Sequence, residues 1–441
     1  MAKNFHEVRD PVHVFVRFDT TEREVINSRP LQRLRHIQQL GMSHLVYPGA
    51  THKRFEHSLG VMELAGRVFD VITDPRNVAA EVRDVLPEEE DDVRRWRRVL
   101  RMAALCHDIG HLPFSHVAEK ELLPQGWTHE RLTMELLRSD EMISLWKAVG
   151  PLLDTEEIVK LAVGPVHQKG APFTDWEAIL SEIITGDAFG VDRMDYLLRD
   201  SHHAGVVYGQ FGHIRLIDTL RVLRRPGGGT GEPMEPMLGI EEGGLHSVEA
   251  LLLARYFMYS QVYCHPVRRV YDIHLKEFLE DWLPSGKFST DLEAHLKMTD
   301  NEVTVALLEA ARDPCKAGHD AARRIVEREH FKLLWSRNPV DRKYHHEPGA
   351  VLFGAAKRQF GSDGVRRDFY TQKGASPDFP VKCRDGRVVS SLELSDTLSK
   401  IAPVAVDYIF IAPEKRSQAE KWRDENREKI LKRAKKKKGE A

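Results

Sequence analysis

An aspartate directly follows a histidine at the end of a segment in which apolar residues recur at the spacing of a buried helix. The pair is His107 and Asp108, and small or apolar residues precede it at Ala103, Ala104 and Cys106. Burying an unpaired carboxylate costs several kcal/mol, which a divalent cation would offset. Alone, such a pair is more often a hydrogen-bonded core histidine beside an exposed aspartate, so other motifs must decide between the two interpretations.

Two further motifs favour a metal. The segment HKRFEHSLGV, residues 52–61, places His57 on a second predicted helix, and GVDRMDYLLRDSHH, residues 190–203, places Asp192 before a third. Imidazole and carboxylate donors together suit Mn, Fe, Zn, Ni or Co better than Ca. The order H…HD…D, with each member in a helical segment, therefore indicates a metal site with open positions for water.

Most of the chain before residue 345 has apolar residues at helical spacing. The periodicity predicts helices over 29–41, 55–72 and 91–110, one or two long helices over 247–283, and smaller helices over 284–345. The Gly-rich stretch PGGGTGEP, residues 226–233, predicts a flexible loop inside a short β-hairpin. These segments predict a mainly α core.

The sequence pattern is no longer mainly helical after Pro348. Glycine and proline punctuate the following segments, PVAVDYIFIA at 403–412 is the clearest strand candidate, and 414–438 predicts a charged helix. We therefore expect a core at 1–345, a smaller α+β region at 346–413 and a basic helical or disordered tail at 414–441.

The stretches YPGATHKRFEHSLGV, CHDIGHLPFSH, WTHE and VDRMDYLLRDSHHAGV resemble the HD-domain deoxynucleoside triphosphate (dNTP) triphosphohydrolases, a family of bacterial and mammalian enzymes. The resemblance covers roughly residues 8–280 and implies an HD-domain helical core with motif residues between 39 and 270. It also implies one divalent ion (Mn, Fe, Mg, Zn, Ni or Co) with the ligands His57, His107, Asp108 and Asp192.

The resemblance further implies catalytic roles for His111, Glu119 and His129. A histidine that titrates near neutral pH and is oriented by a carboxylate suits acid–base chemistry on a phosphoester. If the helix through His107 continues, His111 shares its face. The implied reaction is attack of water on the α-phosphorus, which releases the deoxynucleoside and intact triphosphate.

Residues that match the family's substrate contacts complete the implied site. Arginine forks suit phosphate oxygens, aromatic rings stack on a sugar or base, and two residues of QQLG resemble those that exclude a 2′-hydroxyl. On an uninterrupted helix, Arg255 and Tyr263 would share one face. The implied substrate-binding residues are Gln39, Leu40, Arg54, His116, Arg193, Tyr196, Asp200, Arg255 and Tyr263.

Two positions depart from the family's pattern. The family's regulatory nucleotide site uses an acid five residues before the glutamine of QRLR, but that position is Asn27, while Gln32 and Arg35 are retained. A guanine-specific activator is therefore doubtful, although another nucleotide could bind there. In RYFMYSQVYCHP, residues 255–266, Pro266 takes the place of a lysine that often follows this histidine in the family.

We expect assembly as a homo-oligomer, either a dimer or a tetramer.

Composition limits the binding partners and cellular locations that the sequence allows. The formal net charge of -2 argues against nucleic-acid binding by bulk charge, so only the basic tail is a candidate contact for nucleic acid. Four scattered cysteines, no secretory signal and no long apolar stretch predict a cytoplasmic protein without membrane contact. The alternatives to a dNTP hydrolase are a nuclease or phosphodiesterase acting on oligonucleotides or signalling nucleotides, and a nucleotide-sensing scaffold without activity.

Overall fold

The computed structural model describes residues 5–114, 119–150, 153–168, 170–224, 235–372 and 378–439. They form two compact units, each assembled from three segments of the chain. The first unit comprises 1–258, 288–303 and 375–402, and the second comprises 259–287, 304–374 and 403–441. The division expected from the sequence, into a core at 1–345, a smaller α+β region at 346–413 and a tail at 414–441, stays a prediction.

Helices dominate the described residues, so the predicted mainly α class is confirmed. None of these helices combines the length and the apolar character that crossing a bilayer would require. In chain order they are α1 (Thr20–Ile26), α2 (Arg29–Arg33), α3 (Arg54–Ile72), α4 (Glu90–Cys106), α5 (Glu119–Leu122), α6 (His129–Leu137), α7 (Asp140–Val149), α8 (Thr155–His167), α9 (Asp175–Thr185), α10 (Val191–Ala204), α11 (His213–Asp218), α12 (Leu245–Met258), α13 (Pro266–Trp282), α14 (Leu292–Lys297), α15 (Asp300–Arg312), α16 (His319–Val326), α17 (Pro339–Arg342), α18 (Pro348–Phe360), α19 (Ser391–Leu394), α20 (Asp396–Lys400) and α21 (Arg416–Gly439).

Within the described ranges, short strands form three small sheets, with the orders β1-β2, β3-β4-β7-β8 and β5-β9-β6. The strands are β1 (Phe5–Asp10), β2 (Val14–Asp19), β3 (Leu220–Arg224), β4 (Pro236–Glu241), β5 (Lys332–Ser336), β6 (Val365–Thr371), β7 (Pro380–Lys382), β8 (Val388–Ser390) and β9 (Ala405–Ile411). The predicted hairpin is confirmed by the antiparallel pair β3–β4, whereas its loop at 226–233 lies outside the described residues. The predicted strand at 403–412 is confirmed as β9.

The core of the first unit positions the candidate site. Helix α3 packs against α4 and α10, and the residues of α4 from Val99 to Cys106 are buried. The acidic first turn of α4 is favourable beside the positive end of the helix dipole. The buried end of α4 thereby delivers the His107–Asp108 pair to the interior.

The helix predicted over 29–41 is wrong beyond α2. A 3-10 turn covers Leu34–His36, and the chain is then extended, with a β-bridge between Gln38 and Lys53. The backbone N–H of Arg54 also donates to Ile37 O at 3.0 Å. This tertiary pairing overrides local helix propensity. The strands β1, β2 and β5 were not anticipated from the sequence either.

The second unit has its own apolar core. Trp335 of β5, Leu352 of α18 and Ile409 of β9 are buried there together with Ala419 and Leu431 of α21. The charged helix predicted over 414–438 is confirmed as α21. The first two-thirds of α21 packs on this core, so the alternative of a disordered tail is wrong for that part.

Candidate metal centre

Three segments of the first unit bring the four candidate ligands together. His57 lies in the first turn of α3, His107 and Asp108 follow the last residue of α4, and Asp192 lies in the first turn of α10. Ligand atoms of His57, His107 and Asp108 lie within 4.8 Å of one another. Asp192 Oδ1 lies 3.1 Å from His57 Nε2 and 3.6 Å from His107 Nε2.

The donors present fit a divalent metal. The Nε2 atoms of His57 and His107 are buried and form no hydrogen bond with the described residues, although carboxylate oxygens of Asp108 and Asp192 face them. Two imidazole nitrogens directed at two carboxylates are the donor set that a transition metal or Mg²⁺ would complete. The side chain of Asp192 is 36% exposed, so solvent reaches this side of the cluster.

The electrostatics of the cluster also suit a cation. Burial lowers the pKa of His57, but contacts with Asp192 and Asp195 outweigh it and raise this pKa to about 10. Burial opposes ionisation of Asp108, yet His107, Arg54 and His111 hold its carboxyl pKa well below the usual range. A metal must therefore displace protons from the imidazoles, as is general for such sites.

A buried ion network lies behind His57. Its Nδ1 is 2.7 Å from Asp195 Oδ2, and Asp195 Oδ1 is 2.6 Å from His13 Nε2. Arg199 donates to both oxygens of Asp195 at 2.9 Å and to Asp10 Oδ2 at 2.8 Å. The sequence interpretation missed these residues. The i,i+4 spacing of Asp195 and Arg199 was a signal for their ion pair, whereas nothing local indicated that the β1–β2 hairpin joins it.

His111 is brought to Asp108, but not by the helix that the sequence predicted. Helix α4 ends at Cys106, and i→i+3 hydrogen bonds from Ile109 N to Cys106 O and from His111 N to Asp108 O turn the chain. The shared helical face is therefore wrong. The turn nevertheless leaves His111 Nε2 3.2 Å from Asp108 Oδ1.

His129, the first residue of α6, stacks on His111 with 4.0 Å between the ring centroids. The turn fits closely against α6, because a Cβ on Gly110 would overlap His129 O and the backbone of Thr133. Glu119 begins α5, but its side chain lies outside the described part of the structure, as does the whole of His116. The site therefore presents two adjacent imidazoles beside the candidate ligands.

The predicted phosphate-binding arginines have different surroundings. Arg54 is buried and contacts Asp108, so it belongs to the cluster. The Arg193 guanidinium instead contacts the carbonyl of Gly186 and both the carbonyl and the carboxylate of Asp187. Arg255 lies in the last turn of α12.

Tyr263 belongs to the second unit, at the end of a π-helical turn that begins at Tyr259. Because α12 ends at Met258, the uninterrupted α-helical face predicted for Arg255 and Tyr263 is wrong.

The candidate sugar-binding residues are largely buried. Gln39 and Leu40 are 9% and 7% exposed, and the backbone N–H of Gln39 donates to His52 O at 3.0 Å. Asp200 Oδ1 lies 2.7 Å from His52 Nε2. Tyr196 is half-buried on the same helix, α10. His52 thus connects the Gln39 segment to α10.

The residues of the doubtful activator site lie near the start of the first unit. Asn27 caps the C-terminus of α1, and its N–H donates to Arg23 O. Gln32 donates to Ile26 O at 2.8 Å, and Arg35 donates to Gln32 Oε1 at 2.9 Å and lies over the ring of Phe55. Both retained side chains are thus engaged within the chain itself.

Comparison with known proteins assigns the family. Residues 54–200 match the HD domain model and residues 217–343 match the HD associated region. A solved structure of a hypothetical protein from Aquifex aeolicus is 33% identical, with a TM-score of 0.76 over 95% of this chain and 99% of that one. The chain belongs to the HD-domain family.

Curated relatives of this HD-domain protein include hydrolases. It is 30% identical to the deoxynucleoside triphosphate triphosphohydrolase SAMHD1 of Gallus gallus, over 75% of this chain and 56% of that protein. An uncharacterized protein of Methanocaldococcus jannaschii is 34% identical, over 61% of this chain and 48% of its own length. The chain thus spans about half the length of these curated relatives. They confirm the predicted resemblance and, with the donor cluster, a divalent metal cofactor in a metal-dependent hydrolase fold.

Proposed function

We propose that this HD-domain protein hydrolyses dNTPs to the deoxynucleoside and inorganic triphosphate. One observation carries the proposal: the stacked imidazoles of His111 and His129 adjoin Asp108 without belonging to the ligand set. A hydrolase that only bound metal would not need acid–base groups there. The relatives named as dNTP triphosphohydrolases support the same reaction.

The reaction forms one bond and breaks one. The oxygen of water bonds to the α-phosphorus while the bond from that phosphorus to the 5′ oxygen breaks. The water loses a proton and the 5′ oxygen gains one, and we assign this proton transfer to His111 and His129, with Glu119 as the carboxylate that orients them. When bound at His57, His107, Asp108 and Asp192, the divalent metal would supply Lewis acidity for water and phosphate.

The substrate contacts are part of the same proposal. We assign phosphate binding to Arg54, Arg193 and Arg255, since guanidinium groups pair with phosphate oxygens. The deoxyribose would lie against Gln39 and Leu40, with the remaining contacts from His116, Tyr196, Asp200 and Tyr263.

The test is product analysis. The protein is incubated with each dNTP and NTP, and separately with an oligonucleotide, plus Mn²⁺ or Mg²⁺. The products are separated by chromatography, with Asp108→Ala as the metal-deficient control. Nucleoside and triphosphate in a 1:1 ratio, absent from the control, are expected. Diphosphate, monophosphate or a shortened oligonucleotide would instead favour the phosphodiesterase or nuclease.

Four features of this proposed enzyme stay predictions. They are a nucleotide activator, a homo-oligomer, nucleic-acid binding by the basic end of α21 and a cytoplasmic location. The first two are tested together by light scattering with and without nucleotides. The third is tested by truncation, and the fourth by imaging the tagged chain.

A further inference from the structure

We propose that Asp300 is a positioning residue, which holds the segment of Gln39 against the turn of His111 and so couples sugar selectivity to turnover. This inference rests on the proposed function, because it assigns a role within that reaction. The hydrogen bonds on which it rests join Asp300 to Gln38 and Phe114, which are not among the proposed metal ligands or substrate-binding residues.

The two oxygens of Asp300 accept hydrogen bonds from two separate loops. Gln38 N donates to Oδ2 at 2.7 Å, and Phe114 N donates to Oδ1 at 2.7 Å. Asp300 is 3% exposed, so water does not compete for these bonds. Gln38 adjoins the candidate sugar-edge residue Gln39, and Phe114 closes the segment that begins at His111. One carboxylate therefore fixes both segments.

The contact between the loops is tight and strained. Phe114 has φ 54°, a left-handed conformation that is unfavourable for a residue with a side chain. Gly41 has φ 50°, and a Cβ there would lie 3.1 Å from Phe114 O. Such a backbone conformation persists only where the surroundings impose it. The bond from Phe114 N to Asp300 is one interaction that does so.

A buried arginine complements the carboxylate. Arg33 is 4% exposed; its Nη1 donates to His111 O at 2.9 Å, and its Nε and Nη2 donate to Met298 O at 3.0 and 2.8 Å. Asp300 thus accepts from backbone N–H groups, while Arg33 donates to the carbonyl of His111, in the segment that ends at Phe114, and to the carbonyl of Met298, two residues before Asp300. Burial raises the pKa of Asp300 to about 6, and the bonds from Gln38 and Phe114 oppose that rise, so the carboxylate is mostly ionised at pH 7.

The near-isosteric Asp300→Asn isolates this role. Asparagine accepts through one oxygen only, so its amide nitrogen would face the N–H of either Gln38 or Phe114. The matched control is Asp341→Asn. Asp341 is fully buried in the second unit, where it accepts from Trp335 Nε1 at 2.7 Å and Asn338 Nδ2 at 2.8 Å.

The experiment measures kcat/KM for dATP and ATP, metal content, and amide hydrogen exchange in peptides covering 36–41 and 108–114. For Asp300→Asn we expect a tenfold or larger fall in kcat, because moving reacting groups by about 1 Å can slow a reaction by about 100-fold. The ratio of kcat/KM for dATP to that for ATP should also fall. The amides in peptides 36–41 and 108–114 should exchange faster, and metal content should be unchanged. Asp341→Asn should alter none of these readouts.

An unchanged ratio and unchanged exchange in folded Asp300→Asn would overturn the inference. If the wild-type protein hydrolyses no dNTP, the proposed function fails, and the exchange rates of the two peptides still decide whether Asp300 holds them. Should Asp300→Asn not fold, Asp300→Glu keeps two acceptors with a longer reach and should still shift the ratio and the exchange of both peptides.

Discussion

The imidazole of His57 is held between two carboxylates, with its Nδ1 2.7 Å from Asp195 Oδ2 and its Nε2 3.1 Å from Asp192 Oδ1. Such a carboxylate behind a ligand histidine fixes the tautomer and the ring orientation. A hydrogen bond from Nδ1–H to Asp195 leaves the Nε2 lone pair for a metal. Asp195 is itself fixed by Arg199, so the orientation of His57 is set before any ion binds.

Asp195→Asn should therefore weaken metal binding without removing a ligand. Replacing such a partner typically lowers metal affinity 10–100-fold, and we expect a loss in that range by metal titration. Asp368→Asn is the matched control, because Asp368 is a buried carboxylate paired with Arg269 in the second unit. Equal metal affinity in wild type and a folded Asp195→Asn, as judged by circular dichroism, would contradict the role assigned to Asp195.

A second pair of variants separates ligand from acid–base group. Asp108→Ala should lose the metal, since few donors remain to hold it. His129→Ala leaves all four candidate ligands in place, so its metal content should match the wild type while turnover falls by about 10²–10⁴-fold. Elemental analysis and steady-state rates on both variants test this. Loss of metal from His129→Ala would make His129 a ligand instead.

The candidate ligands could be found from the sequence because each lies in a local pattern. His57, His107, Asp108 and Asp192 are marked by short motifs whose helical periodicity also places them on buried segments. Their convergence in space then follows from the packing of α3, α4 and α10. The residues behind them could not be found in the same way, since His13 and Asp10 reach Asp195 through a hairpin distant in sequence.

Two of the errors have the same physical origin, which is that tertiary hydrogen bonds override local preference. The predicted helix at 29–41 is interrupted because Gln38 N bonds to Asp300, a residue with no sequence relation to it. The predicted extension of α4 fails because the turn after Cys106 is held by α6, where Thr133 Oγ1 accepts from Gly110 N at 3.1 Å. Periodicity describes which residues are apolar, but not which distant partner takes a backbone N–H.

The sugar edge offers a third prediction. In the proposed site the Gln39 side chain, which is 9% exposed, lies against the 2′ edge of the sugar and takes up the space that a 2′-hydroxyl would need. Gln39→Ala should enlarge this edge and lower the dATP-to-ATP ratio of kcat/KM by about tenfold. The control Gln168→Ala alters a half-buried glutamine that donates to Val159 O, and should leave the ratio unchanged. An unaltered ratio in Gln39→Ala would place sugar recognition elsewhere.

The packing of α21 divides the basic tail into two parts with different expected effects. A chain ending at residue 433 keeps the buried Leu431 and should melt as the full chain does, while losing any affinity for oligonucleotides. Leu431→Ala should cost about 2–5 kcal/mol, the usual range for a buried leucine. Thermal melts and fluorescence anisotropy with a labelled oligonucleotide measure the two effects. Equal oligonucleotide affinity in the shortened and full chains would remove the tail from nucleic-acid binding.

A last prediction concerns pH and the carboxyl of Glu182 on α9. Burial raises its pKa from 4.5 to about 7, and the bond from Leu238 N at 3.0 Å only partly opposes the rise. Between about pH 4.5 and 7, Glu182 therefore keeps its proton in the folded state but has lost it in the unfolded chain. The stabilisation is present in full below about pH 4.5 and is lost as pH rises to about 7, amounting to at most about 3 kcal/mol. In Glu182→Gln this contribution should be absent, so the variant should gain stability relative to wild type between pH 5 and 8. Urea unfolding of both proteins across this range measures the difference, and a constant gap between the two curves would show that Glu182 titrates alike in both states.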